Sequence, residues 1–244
     1  MYYPVKTTSP LALKGENRQF LLFPTSTPFL FEGLFAVDPL ATVGNKWYTL
    51  YPSRWGKEPL GQVAISVTSA NFQQQNLAVP KKQGGLEPAV GEMEAIEAFK
   101  NAQTAVKYWE TGAFQSPVPH CMNSPFGVKR FYNGVFSGNY HKGIDQKAPA
   151  GTPIKAMAGG TVKIAQLFQL HGGKVAVDHG HGLGSIYIHM SKILVKPNQL
   201  VKTGDTLGLV GSTGFAMGPH LHWGVYVFGI PVNPQLGFVS TPSC

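Results

Sequence analysis

The stretch GPHLHWGVYVF at positions 218–228 combines a strongly β-forming run with two histidines, His220 and His222, two residues apart. Residues at this spacing in a strand point to the same face, with Cα atoms about 6.5–7 Å apart. The pattern therefore predicts a strand over 222–228 whose two imidazoles share a cavity. By itself His-x-His is weak evidence for a metal site, because the spacing often arises by chance.

A second segment, HKGID at 141–145, places His141 and Asp145 four residues apart around Gly143. Gly143 and the glycines and prolines that follow disfavour a helix, and a straight strand would hold the two side chains roughly 13 Å apart. A bend at Gly143 is therefore needed before they can share one ion. Two histidines and one carboxylate form a known ligand set of catalytic zinc, which leaves the fourth tetrahedral position for water.

The surroundings of these segments predict an antiparallel β domain over 114–244. Of the 29 glycines, 20 follow residue 120, and all eight histidines lie between positions 120 and 222. Glycine turns separate short β-forming runs at 161–168, 174–178, 185–189 and 207–210. We interpret His120, His171, His179 and His181 as structural residues bonded to loop carbonyls.

The preceding residues predict a small β-sandwich-like domain over 1–80, followed by a linker and connecting helix over 81–113. Strand-like runs occur at 20–23, 29–37, 46–51 and 62–68, with glycine and proline between them. The linker contains Lys81 to Gly85. The helix is expected from about Gly91 to Glu110, with one apolar face made of Met93, Ile96, Phe99, Val106 and Trp109.

Composition and charge narrow the classes of partner. Charged residues make up 13% of the chain, against roughly 25% in typical domains. Residues 121–244 carry 10 basic and 3 acidic side chains, which favours an anionic partner such as nucleic acid, a membrane surface or a wall polymer. The basic residues form no run, so we expect no nucleic-acid binding. We also expect no transmembrane segment and find no export signal, while the pairing of Cys121 and Cys244 is left open.

The segments at 141–145, 187–190 (YIHM) and 218–224 (GPHLHWG) together resemble the lysostaphin-type zinc metallopeptidases, which cut peptidoglycan cross-links. The resemblance runs from about Phe114 to Val239 and includes APAGTPI (148–154), GGTV (159–162), VDHGHGL (177–183) and GLVGSTG (208–214). It implies one zinc ion per chain, bound by His141, Asp145 and His222. It also implies two catalytic histidines that do not bind the metal, His189 and His220.

This resemblance implies a zinc endopeptidase that hydrolyses amide bonds in peptidoglycan stem peptides or cross-links. It places the protein in the periplasm, in the cell envelope or outside the cell, with peptidoglycan as partner. The alternative is a catalytically silent module of the same fold that binds the wall or activates an amidase. Competent residues at all five positions favour the enzyme, whereas the bond cut and the oligomeric state are left open.

Overall fold

A computed structural model describes residues 9–78, 87–102, 104–110 and 112–244. The chain divides into two compact units, Met1–Ala70 and Asn71–Cys244. Both are built mainly of antiparallel strands, which confirms the predicted fold class. The division into 1–80, 81–113 and 114–244 stays a prediction, and the linker at 81–85 lies outside the described residues.

The first unit is an antiparallel sheet of five strands in the order β3-β2-β1-β4-β5. Its strands are β1 (Leu11–Gly15), β2 (Arg18–Pro24), β3 (Phe31–Glu32), β4 (Gly44–Tyr51) and β5 (Gly61–Val67). Among the described residues this is a single sheet where a sandwich-like arrangement was expected. Phe20, Phe35 and Tyr48 pack at its centre, with the Phe35 ring centroid 4.6 Å from that of Phe20 and 4.9 Å from that of Tyr48.

The strand predicted over 29–37 is the main correction in this unit, because only Phe31–Glu32 pairs in the sheet. Phe29 has a φ of +64°, and the Thr25 N–H donates to the Leu30 carbonyl at 2.9 Å, so a tight turn occupies the start of the run. Further along, Phe35 packs between two core rings. Local turn geometry and burial of this ring therefore override the extended pattern.

In its described parts the second unit contains thirteen strands and the helix α1 (Glu92–Lys100). The strands are β6 (Gln74–Leu77), β7 (Met122–Ser124), β8 (Lys129–Tyr132), β9 (Val135–Tyr140), β10 (Ile144–Lys147), β11 (Pro153–Lys155), β12 (Gly160–Phe168), β13 (Gly172–Gly180), β14 (Leu183–Ile193), β15 (Leu200–Val201), β16 (Thr206–Val210), β17 (His220–Val227) and β18 (Ile230–Val232). The predicted C-terminal strands are all present, several of them extended by a few residues.

Ten of these strands form one sheet whose main path runs β15-β12-β13-β14-β17-β10-β7. Strand β16 pairs with β11 and β14, and β18 pairs with β17. A smaller sheet has the order β6-β8-β9, in which β6 and β8 are parallel. The functional segments predicted from sequence lie on the neighbouring central strands β14, β17 and β10, so the long sheet brings them together.

Helix α1 is shorter than predicted, since it ends at Lys100 and not near Glu110. Past Asn101 the chain binds the sheet: Tyr108 N–H donates to the His179 carbonyl at 3.0 Å, and the Trp109 indole donates to the Gly180 carbonyl at 3.3 Å. A peptide group that donates across to a strand cannot also close a helical turn. Ile96 is buried as predicted, but Val106 is exposed and lies beyond the helix.

Two further features concern the chain as a whole. Cys121 and Cys244 form a disulfide across 123 residues of sequence, which settles the pairing that the sequence left open. Backbone hydrogen bonds beside it join Met122 to Pro242 and to Cys244. Within the described residues, no helix has the length and apolar character that crossing a membrane requires.

Candidate metal centre and active site

The three predicted metal ligands meet where strands β10 and β17 pair. Asp145 stands directly opposite His222 in the antiparallel register, and His141 precedes β10 by a short bend at Gly143. A Cβ atom at Gly143 would lie 2.2 Å from the Trp223 carbonyl oxygen and 3.0 Å from His222 Nε2. Glycine is therefore required at the bend, which brings His141 back over Asp145.

The ligand atoms form a tight triangle. His141 Nε2 lies 3.0 Å from Asp145 Oδ1 and 2.9 Å from His222 Nδ1, and the third side, from His222 Nδ1 to Asp145 Oδ1, is 2.8 Å. His141 and Asp145 are buried, and His222 is partly buried. Among the described residues this is the one group of three or more candidate ligand side chains that could hold a metal ion.

The hydrogen bonds around the triangle fit a cation at its centre. His141 Nδ1 lies 2.8 Å from the Pro125 carbonyl oxygen, which can only accept, so the ring proton is on Nδ1 and the lone pair is on Nε2. That lone pair faces a carboxylate oxygen of Asp145. Because two acceptors at this distance repel, a proton or a metal ion must lie between them. The site can thus hold a metal through two imidazoles and one carboxylate, as in catalytic zinc sites.

Electrostatics keep the ligands in the states that bind metal. Burial would raise the pKa of Asp145, but the His141 and His222 imidazoles outweigh it and hold this pKa well below its usual value. Burial lowers the pKa of His222 to about 4 although the Asp145 carboxylate opposes that change. Near neutral pH the carboxyl is therefore ionised and the His222 imidazole is neutral, and metal ligands require these forms.

The two other predicted site residues, His189 and His220, lie beside the triangle without belonging to it. Their ring centroids are 5.0 Å apart, and the His189 ring is 6.3 Å from that of His222. His220 Nε2 is 3.9 Å from Asp145 Oδ1. The structure therefore brings together all five residues singled out from the sequence, in a cluster of three convergent ligands and two flanking imidazoles.

Both flanking imidazoles are oriented by backbone carbonyls. His189 Nδ1 donates to the Thr213 carbonyl and His220 Nδ1 to the Gly218 carbonyl, each at 2.8 Å. Their Nε2 atoms are consequently left with lone pairs. Burial, with the His222 and His220 imidazoles, lowers the pKa of His189 to about 3, so this ring is neutral near pH 7. His189 has a φ of +64°, in a part of β14 where register shifts mark irregular pairing.

Sequence reasoning missed the residue that fixes the carboxylate, Arg130 on β8. Its guanidinium donates to Asp145 Oδ2 at 2.7 Å, on the oxygen that faces away from the triangle. Ser124 lies beside it, with Oγ 3.4 Å from the Arg130 guanidinium and 3.3 Å from His141 Nδ1. Neither residue belongs to a recognisable motif: Ser124 faces Asp145 through the pairing of β7 with β10, and Arg130 comes from β8 in the smaller sheet.

A groove of about 540 Å³ opens against the cluster. His141, His189 and His222 line one part of it, and β13, β14, β17 and helix α1 supply much of the remainder, including Lys174, Ile186, Ile188 and Tyr226. An extended peptide needs a trough of this kind beside the reacting atoms. The site therefore combines candidate metal ligands, candidate proton carriers and room for a chain-like ligand.

The remaining histidines lie outside the cluster. His179 is fully buried, with Nδ1 on the Gly159 carbonyl and Nε2 on Ser185 Oγ, each at 2.7 Å. His171 binds the Glu92 carboxylate, and His181 Nε2 donates to the Ala105 carbonyl at 2.9 Å. His179 and His181 therefore bond to carbonyls as expected, whereas His171 bonds to a carboxylate, and the structural interpretation of His120 stays a prediction.

Replacing Arg130 tests the importance of the outer carboxylate contact. We expect Arg130→Met to weaken metal binding about 10- to 100-fold, since residues that orient a metal ligand contribute on this scale. Competition with a chromogenic chelator measures the affinity. Arg130→Lys serves as the matched control, because it keeps the positive charge but loses the planar guanidinium. Its metal affinity should lie between those of the wild-type protein and Arg130→Met. Equal affinity in all three proteins would contradict a positioning role.

Comparison with known proteins defines the class. Residues 139–234 match the sequence profile described as Peptidase family M23. An uncharacterised metalloprotease of Haemophilus influenzae is 40% identical over 114 residues, which cover 46% of this chain and 24% of that protein. Peptidoglycan DD-endopeptidase ShyA of Vibrio cholerae is 42% identical over 112 residues, covering 46% of this chain and 26% of the relative. The chain thus spans about a quarter of the length of these relatives.

A crystal structure from Pseudomonas aeruginosa, described as a candidate M23 peptidase, matches with a TM-score of 0.70 and 27% identity. The match covers 95% of this chain and 89% of that one, so it extends over the described N-terminal sheet as well. The fold and the profile point to the same family. This chain carries a peptidase family M23 domain, and the resemblance seen in its sequence is confirmed.

Proposed function

We propose that this protein is a zinc-dependent endopeptidase that hydrolyses amide bonds in peptidoglycan stem peptides or cross-links. The observation that carries the proposal is the convergence of His141 Nε2, Asp145 Oδ1 and His222 Nδ1 within 3.0 Å of one another at the wall of an open groove. The name of the Vibrio cholerae relative, a peptidoglycan DD-endopeptidase, supports the substrate class.

The donor set favours zinc, one ion per chain. Imidazole nitrogen is a ligand for borderline metals such as zinc, whereas magnesium prefers sites made entirely of oxygen. His141, Asp145 and His222 would hold the ion. Bound by three protein ligands, zinc supplies an activated water and polarises the scissile carbonyl.

The flanking histidines would handle the protons. His189 is held by Thr213 through Nδ1, so its Nε2 presents a lone pair that can accept a proton from the attacking water. His220, held by Gly218 in the same way, presents Nε2 3.9 Å from the carboxylate of Asp145. It is placed to donate a hydrogen bond to the developing oxyanion once protonated, or to pass a proton to the leaving amine.

The competing proposal is a silent module that binds the wall or activates an amidase. Such a module requires a binding groove but no hydrolytic residues. It would therefore not require the hydrogen bonds that orient these residues, from His141 to the Pro125 carbonyl, from His189 to the Thr213 carbonyl and from Arg130 to Asp145. The ligands and the proton carriers are all present with their orienting bonds. The enzyme is therefore favoured over the silent module.

The proposed location is the periplasm, the cell envelope or the exterior of the cell. The family resemblance and the names of the relatives support it, and so does the disulfide between Cys121 and Cys244, a bond that persists in oxidising compartments. Peptidoglycan is the proposed partner. The net charge of +7 over residues 121–244 would aid its capture, because that polymer is anionic.

Purified sacculi with cross-links of known chemistry provide the test. We expect the zinc-loaded protein to release peptides whose new amino and carboxyl termini mass spectrometry can identify. A chelator should abolish the release, and added zinc should restore it where magnesium does not. Sedimentation with sacculi and no new termini under any metal would contradict the peptidase and support the silent module.

A further inference from the structure

A buried lysine stands in the groove away from the metal centre. Lys174 on β13 is 1% exposed, yet it is one of the residues that line the groove. Within the described parts of the chain, no hydrogen bond or ion pair to its Nζ is found. The ammonium lies over the Phe168 ring, with the ring centroid 5.7 Å away. A largely buried cation that no carboxylate neutralises carries a desolvation cost, so a ligand that supplies the opposite charge would bind strongly.

Strand register sets the distance from this lysine to the metal ligands. Asp145 pairs with His222, and His222 pairs with Ile188. On the far side of β14, Lys174 lies between the pairs Gly173–Met190 and Val175–Tyr187, in the irregular stretch that faces Ile188. Lys174 is therefore level with His222 across the sheet, and strand β14 lies between the two residues. At about 4.8 Å per strand, their Cα atoms are about 10 Å apart.

The charged side chains near Lys174, Glu92 and Lys100, have other hydrogen-bond partners. Lys174 is therefore not part of a structural ion pair. The Glu92 carboxylate accepts from the backbone N–H groups of Ala89, Leu170 and His171 and from the His171 ring. Lys100, the other cation of this wall, donates to Glu97 at 2.7 Å. Glu92 therefore influences Lys174 only through space.

Electrostatics agree with a site that awaits an anion. Burial lowers the pKa of Lys174 to about 7, with a further contribution from Lys100, although the carboxylate of Glu92 opposes the change. An anionic ligand beside Nζ would favour the charged form and raise this pKa again. The lysine thus becomes fully charged only together with a carboxylate or a similar group.

We propose that Lys174 binds a free carboxylate of the peptide substrate in a subsite on the wall of the groove two strands from His222, and that this contact selects acidic peptides. The inference rests on the proposed function. Ile188 lies between the two positions and offers an apolar floor. Because an extended chain spans about 3.3 Å per residue, the carboxylate belongs about three residues from the scissile bond. A chain terminus or an acidic side chain could provide it.

Three synthetic peptides separate these two sources. Each is N-acetylated and contains one D-Ala–D-Ala bond. The first has a free carboxyl terminus three residues from that bond, the second has a glutamate side chain there with an amidated terminus, and the third has glutamine with an amidated terminus. Zinc-loaded wild-type protein should cleave at least one carboxylate peptide with a kcat/KM about 10- to 100-fold above that of the third, as expected for a charge-assisted hydrogen bond.

Lys174→Met should remove this preference, because it keeps the size and burial of the side chain and deletes the charge. The variant should lose the 10- to 100-fold advantage on the preferred peptide and leave kcat/KM for the third peptide within about twofold. Lys192→Met is the control, an exposed lysine on the neighbouring strand β14 that does not line the groove, and it should leave the ratio unchanged. Melting temperature and zinc content identify a variant that has lost its fold.

The wild-type comparison needs no variant, so it remains decisive if Lys174→Met does not fold. Equal kcat/KM on the three peptides, or an equal loss on all of them in Lys174→Met, would overturn the subsite. A parallel binding measurement uses the same peptides N-methylated at the D-Ala–D-Ala amide, which blocks hydrolysis. If no peptide is cleaved and sacculi also yield no new termini, but the carboxylate forms bind wild-type protein more tightly than Lys174→Met, the proposed function fails and the subsite stands. Equal binding of the carboxylate peptides to wild-type protein and to Lys174→Met would contradict the subsite and leave the proposed function unaffected.

Discussion

Asp145→Ala and His222→Ala are expected to abolish both metal binding and hydrolysis, the largest effects that we predict. Each substitution removes one of three ligand atoms, and a site with two protein ligands holds zinc poorly. We expect zinc to fall from about one ion per chain to a small fraction of that. Hydrolysis should drop by more than about a thousandfold, because the metal contributes several kcal/mol of transition-state stabilisation. Elemental analysis after dialysis and a sacculus digestion assay measure the two quantities.

His181→Asn is the matched control for these variants, because the φ of +52° at this position suits asparagine better than alanine. It removes a histidine from the same domain whose Nε2 donates to the Ala105 carbonyl, away from the ligand triangle. We expect it to keep its zinc and its activity. Full zinc occupancy in both Asp145→Ala and His222→Ala would show that the metal lies elsewhere.

His189 and His220 variants should separate proton transfer from metal binding. We expect His189→Ala and His220→Ala to retain zinc and to lose hydrolysis by at least about 100-fold, the usual scale for a general acid or base. Zinc is retained because neither ring belongs to the triangle, and His220 Nε2 is 3.9 Å from the nearest ligand oxygen. The measurements are zinc content and kcat on one peptide substrate.

A second variant at position 189 is needed because the backbone conformation there is unfavourable for alanine. His189 has a φ of +64°, a conformation that asparagine adopts more readily than alanine. His189→Asn should therefore fold as well as the parent while lacking the proton-accepting nitrogen. Loss of zinc from a folded His189 or His220 variant would mean that ligand and catalyst are exchanged, and full activity in both would refute their proposed roles.

Much of the site could be anticipated because its residues sit in short local patterns. The His-x-His pair at 220 and 222 falls on β17, and the expected bend at Gly143 brings His141 over Asp145. Strand alternation and glycine placement are local properties, so the chain expresses them directly. Of the two predictions that were wrong, the strand at 29–37 is interrupted by a local turn and by the packing of Phe35, whereas the second half of the helix is absent because its backbone binds β13.

The amino-acid sequence by itself indicated the class of the second unit and five of its strands, and its resemblance to a known family indicated the five residues of the candidate site. Only the tertiary structure decided how these residues are held and what surrounds them. Arg130 meets Asp145 across strand pairings, Cys121 meets Cys244 over 123 residues, and Lys174 is level with His222 across the sheet through the register of β13, β14 and β17. The physical reason is that register and burial depend on contacts between segments far apart in the chain, whereas sequence patterns report on neighbours.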